Sequence, residues 1–199
     1  LCITSEKKVR NPISNQRNTD FNLFGAGTKK LNSEQQWILD EFCVDYETGI
    51  RRTYLLHGVT GSGKTEVYLA MAEQVLTEGK QVIVLIPEIA LTKQTVVRFQ
   101  SRFGNVVSIL NSRMSQGERS DQYERAAQGE IRIVVGPRSA LFVPFEHLGL
   151  IIIDEEHEPS YKSESTPKYH TREVAIERAR LAGASVVLGS ATPSLESYD

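Results

Sequence analysis

The chain has 199 residues, 40% hydrophobic and 24% charged, the make-up of a soluble globular protein with one large domain or a domain and an extra segment. A net charge of -2 excludes a global basic field for nucleic acid, so such binding needs a local patch or a further part of the protein. No apolar run approaches the roughly 18 residues that span a membrane, and the two cysteines, Cys2 and Cys43, form neither a disulfide framework nor a zinc pattern, which predicts reduced intracellular thiols.

Residues 1–30 are polar and irregular, and Arg10-Asn11-Pro12 breaks any regular pattern. They read as a linker or as the end of an upstream domain, with the folded unit over residues 31–199. Leu1 opens the chain with no Met and no signal-like segment, which points to a piece of a longer protein. A helix begins at Leu31–Gln36. Asn32 or Ser33 serves as its cap, Gln35 or Gln36 completes a capping box, and Trp37, Ile38 and Phe42 continue an apolar face. A glutamine here either caps the helix or reads an adenine edge, and the local sequence leaves both open.

Strands and helices then alternate. Thr53–His57 is a short apolar strand, and Thr65–Glu78 is a helix closed by Gly79. Gln81–Ile86 is a continuous apolar run of the kind buried on both faces, ended by Pro87. Leu91–Phe103 is helical, with Val96, Val97, Phe99 and Phe103 as its apolar positions. Val106–Leu110 is a strand, Ser115–Gln128 a polar helix before Gly129, and Ile131–Val135 another buried strand. Leu150–Ile153, the helix Arg172–Leu181 and the strand Ser185–Leu188 complete the pattern. Such alternation predicts an α/β fold: a mostly parallel sheet with helices on both faces and right-handed crossovers. Ligands of open parallel sheets bind beyond the carboxyl ends of the strands, and the motifs below all fall there.

His57-Gly58-Val59-Thr60-Gly61-Ser62-Gly63-Lys64-Thr65 spells G-x-x-x-x-G-K-(S/T), between a strand and a helix. Glycines let the backbone approach a polyphosphate, and the N–H groups of the loop and helix start point at its oxygens. Lys64 adds a cation toward the β- and γ-phosphates, and the Thr65 hydroxyl can ligate Mg²⁺. The alternative is a glycine-rich turn, which the Lys-Thr offset and both flanks oppose.

Leu150–Ile153 ends in Asp154-Glu155-Glu156-His157. Asp154 can hold Mg²⁺ at a buried strand's end, and Glu155 can polarise the attacking water. His157 either couples this site to something beyond the nucleotide or is a surface histidine. Ser190-Ala191-Thr192 brings two hydroxyls to the same edge, to bridge neighbouring segments or to cap a loop. In Glu158–Arg172, Tyr161, Lys162, Lys168, Tyr169, His170 and Arg172 interleave aromatic and basic groups, as suits stacked bases and paired phosphates; a solvated loop with half-packed tyrosines is the alternative.

Taken together, Gly58–Tyr68, Pro87–Thr92, Gly136–Phe142, Asp154–His157 and Gly189–Glu196 resemble the PriA family, the primosomal replication-restart helicases of superfamily 2. The resemblance covers about residue 31 to the end. It implies the first RecA-like lobe of a 3′-to-5′ DNA helicase, with ATP and Mg²⁺ as cofactors. Lys64 and Glu155 would be catalytic. Gly58, Thr60, Gly61, Ser62, Gly63, Lys64 and Thr65 would hold nucleotide, and Gln35 the adenine. Thr65 and Asp154 would hold the metal. His157, Ser190, Ala191 and Thr192 would couple hydrolysis to DNA, with the Ser190 strand lying between the P-loop strand and the Asp154 strand. Pro87, Thr92, Arg138, Ser139, Tyr161, Lys162, Lys168, Tyr169 and His170 would contact DNA. Forked or single-stranded DNA, primosome proteins and single-strand-binding proteins would be partners, in the bacterial cytoplasm and without a membrane. Asn111, Lys93 and Pro167 stand where the family often has His, Pro and, in some members, Trp. The family's N-terminal DNA-binding domains, zinc-binding cysteines, second lobe and arginine fingers fall outside this stretch, so the chain alone is expected to be a nearly inactive ATPase.

Other classes fit less well. A GTPase would show an Asn-Lys-x-Asp guanine reader, which does not occur. A small-molecule kinase has no use for the Ser-Ala-Thr segment. A non-catalytic module would not need Lys64, Asp154 and Glu155 together.

Overall fold

The computed structural model describes residues 2–3, 30–163, 166 and 168–193. Strands β1 (Cys2–Ile3), β2 (Thr53–His57), β3 (Gln81–Leu85), β4 (Val107–Ile109), β5 (Ile133–Gly136), β6 (Leu148–Ile153) and β7 (Ser185–Ser190) form one sheet. Its order is β1-β2-β7-β6-β3-β5-β4, parallel throughout except for the antiparallel pair β1–β2. Helices α1 (Ser33–Glu47), α2 (Lys64–Thr77), α3 (Lys93–Phe103), α4 (Gln116–Ala127) and α5 (Thr171–Ala182) cover both faces.

That coverage explains the unbroken apolar strands. Along β3, β6 and β7, Val82, Val84, Leu150, Ile152 and Val187 face a core shared with α1, α2 and α3. The alternate residues Ile83, Leu85, Ile151, Ile153, Val186 and Leu188 face a second core, shared with α4, α5 and the Tyr161 segment. Each fully buried aliphatic side chain contributes about 1.5–3 kcal/mol. Asn32 caps α1, and its box with Gln35 is complete in both directions.

Several expectations shift. Cys2 and Ile3, in the expected linker, add an edge strand on His57 and Leu56; residues 1 and 4–29 lie outside the described residues, as do Pro167 and 194–199. Leu91 is not helical, because Thr92 adopts extended backbone and accepts from the Thr95 amide as the cap of α3. Val97 faces solvent, and the core positions of that helix are Phe99 and Phe103. Val106 closes a 3-10 turn rather than opening β4. β7 runs on to Ser190, since Gly189 and Ser190 stay in register with Leu56 and His57. The Cys43 thiol is half-buried and free, pushed up to about 12 by burial and then by Glu47, Asp40 and Glu78, so it is inert at neutral pH. No helix among the described residues is long and apolar enough to cross a membrane.

Gly149 in β6 tests this packing. A Cβ there would lie 2.4 Å from Tyr46 Oη and 2.7 Å from both Lys80 Cβ and Val75 Cγ1. Gly149→Ala is expected to cost about 1–3 kcal/mol by urea denaturation. Adding Tyr46→Phe removes the nearest clashing atom and should recover part of that loss, so the two changes will not be additive.

Candidate active site

β2 delivers the P-loop. The Gly58 amide donates to the Ser190 carbonyl at 3.0 Å, so the loop starts as an extension of the β2–β7 pairing. Gly61 and Gly63 have φ of +83° and +87°, where other residues are strained. Gly63 has a second reason to be glycine: a Cβ there would sit 2.3 Å from Gln35 Nε2. The N-terminus of α2 carries no side-chain cap, and while the Glu66 amide donates to the Gly63 carbonyl, the Lys64 and Thr65 amides are left for an anion. Ser62 Oγ is buried in the loop with no hydrogen-bond partner. Buried Lys64 donates to the Gly58 carbonyl at 2.7 Å and lies 3.7 Å from a Glu155 carboxylate oxygen. Gln35 Nε2 donates to the Ser62 carbonyl at 3.0 Å, so the capping glutamine also reaches the P-loop backbone.

β6 delivers the acids. The Asp154 amide donates to the Leu85 carbonyl at 2.9 Å, keeping the strand in register to its last residue. Burial foremost, and then the charge of Glu155, raise the Asp154 carboxyl; a hydrogen bond from Tyr68 and the Lys64 cation oppose them. Tyr68 donates to Asp154 Oδ1 at 3.1 Å. Glu155 has φ of +49°, a left-handed conformation that costs a bulky residue about 1–3 kcal/mol. That turn sets its carboxylate against Lys64 on one side and His157 Nε2, at 3.7 Å, on the other. Glu156 turns inward, with its amide on the Gly189 carbonyl and its carboxylate 3.9 Å from Arg172.

β7 lies between the other two strands and ends at Ser190. His157 Nδ1 and Ser190 Oγ are 2.9 Å apart, and the Thr192 amide donates to the same hydroxyl at 3.2 Å. His57 Nε2 meets the Ala191 carbonyl at 3.2 Å. Lys64, Glu155, His157, Ser190 and Thr192 thus form one polar chain across three strand ends. His157 is exposed, yet both of its ring nitrogens have neighbours in this chain.

The expected DNA contacts scatter more. Tyr161 is buried, and its hydroxyl donates to the carbonyls of Leu85 at 3.1 Å and Asp154 at 2.7 Å. Its ring has no face left for a base, which overturns the stacking role expected of it. Pro87 is buried too, with its carbonyl accepting from Ala90 and Leu91. Arg138 donates to the carbonyls of Ser160 and Lys162, so it tethers the aromatic loop instead of standing open for phosphate. Lys162 and Lys168 are exposed. Tyr169 stacks edge-on against Phe142, which is half exposed. His170 caps α5 by accepting from the Arg172 amide, and Thr92 caps α3. Ser139 is half-buried, with its carbonyl near the Tyr123 hydroxyl.

Tyr68, Gly189 and His57 are site neighbours that sequence reasoning left without a role. Tyr68 sits one helical turn after Thr65, and Gly189 interrupts an apolar strand; both are usable signals. The residues present fit a magnesium nucleotide. Ser62 offers an orphaned hydroxyl, the helix start is uncapped, and two adjacent half-buried carboxylates ask for a cation. No cluster of three or more His, Cys, Asp or Glu among the described residues could hold a metal alone, so a cation on Thr65 and Asp154 would draw its other ligands from phosphate and water.

The DEAD/DEAH box helicase family model matches residues 35–199. The chain is 52% identical over 177 residues to the replication restart protein PriA of Chlamydia pneumoniae, covering 88% of this chain and 24% of that protein. It is 54% identical over 168 residues to the replication restart protein PriA of Bacillus subtilis, covering 84% and 21%. The chain therefore spans about a quarter of the length of the curated relatives it matches. Among solved structures, RecG bound to a three-way DNA junction aligns with a TM-score of 0.62 at 25% identity, over 85% of this chain and 22% of that one. The Pyrococcus furiosus Hef helicase domain aligns with a TM-score of 0.61 at 23% identity, over 84% and 34%, a likeness of fold.

The raised Asp154 carboxyl gives a stability test. A carboxyl raised in the folded state contributes stability below its unfolded value and loses it as pH rises through the folded value. Ionised Asp154 therefore weakens the fold at neutral pH when no cation is bound. Asp154→Asn is expected to raise the melting temperature in metal-free buffer at pH 7, by calorimetry, while the gain shrinks toward pH 4. A lower melting temperature at pH 7 would mean that the charge is already compensated by its neighbours.

Proposed function

The chain belongs to the DEAD/DEAH box helicases and is PriA-like over most of its length, and from that premise we propose that it is the ATP-binding motor lobe of a 3′-to-5′ DNA helicase serving primosome assembly and replication restart. One observation carries the reading furthest. Lys64, Glu155, His157 and Ser190, drawn from three strand ends, make one contiguous polar chain from the P-loop to the last strand.

In this reading the uncapped start of α2, the Ser62 hydroxyl and the amides of Gly61, Gly63, Lys64 and Thr65 receive the phosphates, with Gly58 anchoring the loop on Ser190 and Thr60 shaping the turn. Lys64 leaves the Gly58 carbonyl to face the β- and γ-phosphates. Thr65 and Asp154 would hold Mg²⁺, which when bound neutralises charge on the phosphate oxygens. Glu155, held back toward Lys64 by its left-handed backbone, orients and deprotonates the attacking water. Gln35 suits an adenine edge. Its carbonyl accepts once, from Asn32, and its NH₂ donates once, to Ser62. One acceptor site and one N–H remain, the pair that an adenine N6–H and N7 would engage.

His157 and the Ser190–Thr192 segment then report on Glu155 to the DNA side. Contacts with DNA fall to Thr92, Ser139, Lys162, Lys168, Tyr169 and His170, with Arg138 fixing the loop that bears them. Forked or single-stranded DNA is the proposed substrate, with primosome and single-strand-binding proteins as partners in the bacterial cytoplasm. Arg138 and Arg172 are committed to loop carbonyls and to Glu156, so neither is placed for the charge that develops on the γ-phosphate. An arginine supplied for that purpose is worth about 10³–10⁵ in rate, and the chain alone should turn over very slowly without one.

Two variants test the site. Lys64→Ala removes charge-assisted contacts worth about 1.5–3 kcal/mol each, so calorimetry should show at least a tenfold loss of Mg-ATP affinity. Unchanged affinity in a folded variant would sink the P-loop assignment. Glu155→Gln should bind ATP normally and lower single-turnover hydrolysis by about 10²–10⁴. A loss under tenfold would move the base elsewhere.

For the aromatic loop, Tyr169→Ala should weaken single-stranded DNA binding, by about 1–3 kcal/mol if its ring meets a base. Tyr161→Phe should leave that affinity intact and lower thermal stability instead, because its hydroxyl serves two buried carbonyls. Unchanged DNA affinity in folded Tyr169→Ala would remove that ring from the DNA contacts.

A further inference from the structure

We propose that Tyr68 is a positioning residue for the Asp154 carboxylate, and that glycine stands at position 189 so that the Tyr68 phenol can reach it. The inference rests on reading Thr65 and Asp154 as the Mg²⁺ ligands. Tyr68 is 1% exposed, and its hydroxyl donates to Asp154 Oδ1 at 3.1 Å. It lies three residues after Thr65 on α2, one turn along the same face. One helix therefore carries one proposed metal ligand and the group that orients the other.

The route of the phenol is specific. A Cβ at Gly189 would fall 1.6 Å from Tyr68 Oη, 2.8 Å from Cζ and 3.4 Å from Asp154 Oδ1. The hydroxyl occupies the space that any side chain on β7 would need. Two costs converge here. Glycine inside a strand gives up backbone entropy and packing. A phenol beside two carboxylates is a polar group out of water, where phenylalanine would pack as well without that penalty. Packing alone explains neither choice, and an oriented carboxylate explains both. With one lone pair of Oδ1 fixed by the phenol, the remaining lone pairs hold a set direction for a cation. Groups that orient a metal ligand in this way are commonly worth about 10–100-fold in metal affinity.

The test uses the 199-residue chain and a fluorescent ATP analogue, titrated in EDTA and then across Mg²⁺ concentrations. Tyr68→Phe is expected to raise the Mg²⁺ needed for half-maximal tight binding by about 10–100-fold, with affinity in EDTA unchanged. Gly189→Ala should reproduce that shift, because its methyl displaces the phenol without removing it. An unaltered Mg²⁺ requirement in folded Tyr68→Phe overturns the proposal. So does an equal loss with and without Mg²⁺, or failure of both variants to fold, since either would make the phenol a stabilising group only. If the unmodified chain binds the analogue with no Mg²⁺-dependent component, the reading of Thr65 and Asp154 falls first and takes this one with it.

Discussion

A half-buried carboxylate at the end of β6 governs the arrangement around it. Desolvation is the main force on the charge of Asp154, and an ionised group in such a place needs compensation from several directions. The surroundings supply it in parts. Tyr68 donates to the side chain, Lys64 brings a cation nearby, and the backbone carbonyl of the same residue is held by Tyr161. None of these neutralises the charge, and Glu155 beside it adds a second. An acid kept in this condition attracts a cation more strongly than a fully solvated one does, because it is partly screened from water.

The same economy of contacts appears in the aromatic loop. Tyr161 joins the loop to the ends of β3 and β6 through a single hydroxyl, and Thr171 donates to the Tyr161 carbonyl from the start of α5. Arg138, from the turn after β5, holds the loop's backbone at two carbonyls. A displacement of the loop would therefore be felt at three strand ends at once, the acid's among them. Short hydrogen-bonded paths of this kind, anchored on rigid strands, can carry a signal without a large movement.

Much of this was legible in the sequence where chemistry and local order coincide. Val82–Leu85 and Leu150–Ile153 announce strands covered on both faces, and the structure buries them fully. The P-loop spacing and the Asn32–Gln35 box are local patterns, and they appear where the pattern puts them. The position of β7 between β2 and β6 came from family resemblance, since no spacing encodes strand order. Other features stayed hidden for physical reasons. Two residues of β1 have no periodicity to read. Aromatic and basic residues mark a contact-rich loop, but composition does not say which ring turns inward, and Tyr161 did. Tyr68 and Gly189 are far apart in the chain, and only the folded sheet brings phenol and gap together.

The strand order also bears on how the molecule is made. β7 comes last among the described strands, yet it is an interior strand, paired to β2 on one side and β6 on the other. Pairs such as Leu56 with Gly189 join opposite ends of the described chain, and closing so long a loop is entropically slow. During synthesis, β2 and β6 each present an unpaired edge until residues 185–190 have left the ribosome. Open edges on apolar strands invite wrong partners. The P-loop strand and the acid strand do not touch, and the strand that holds them in register comes last among the described strands, so Lys64 and Glu155 can meet only once residues 185–190 are in place.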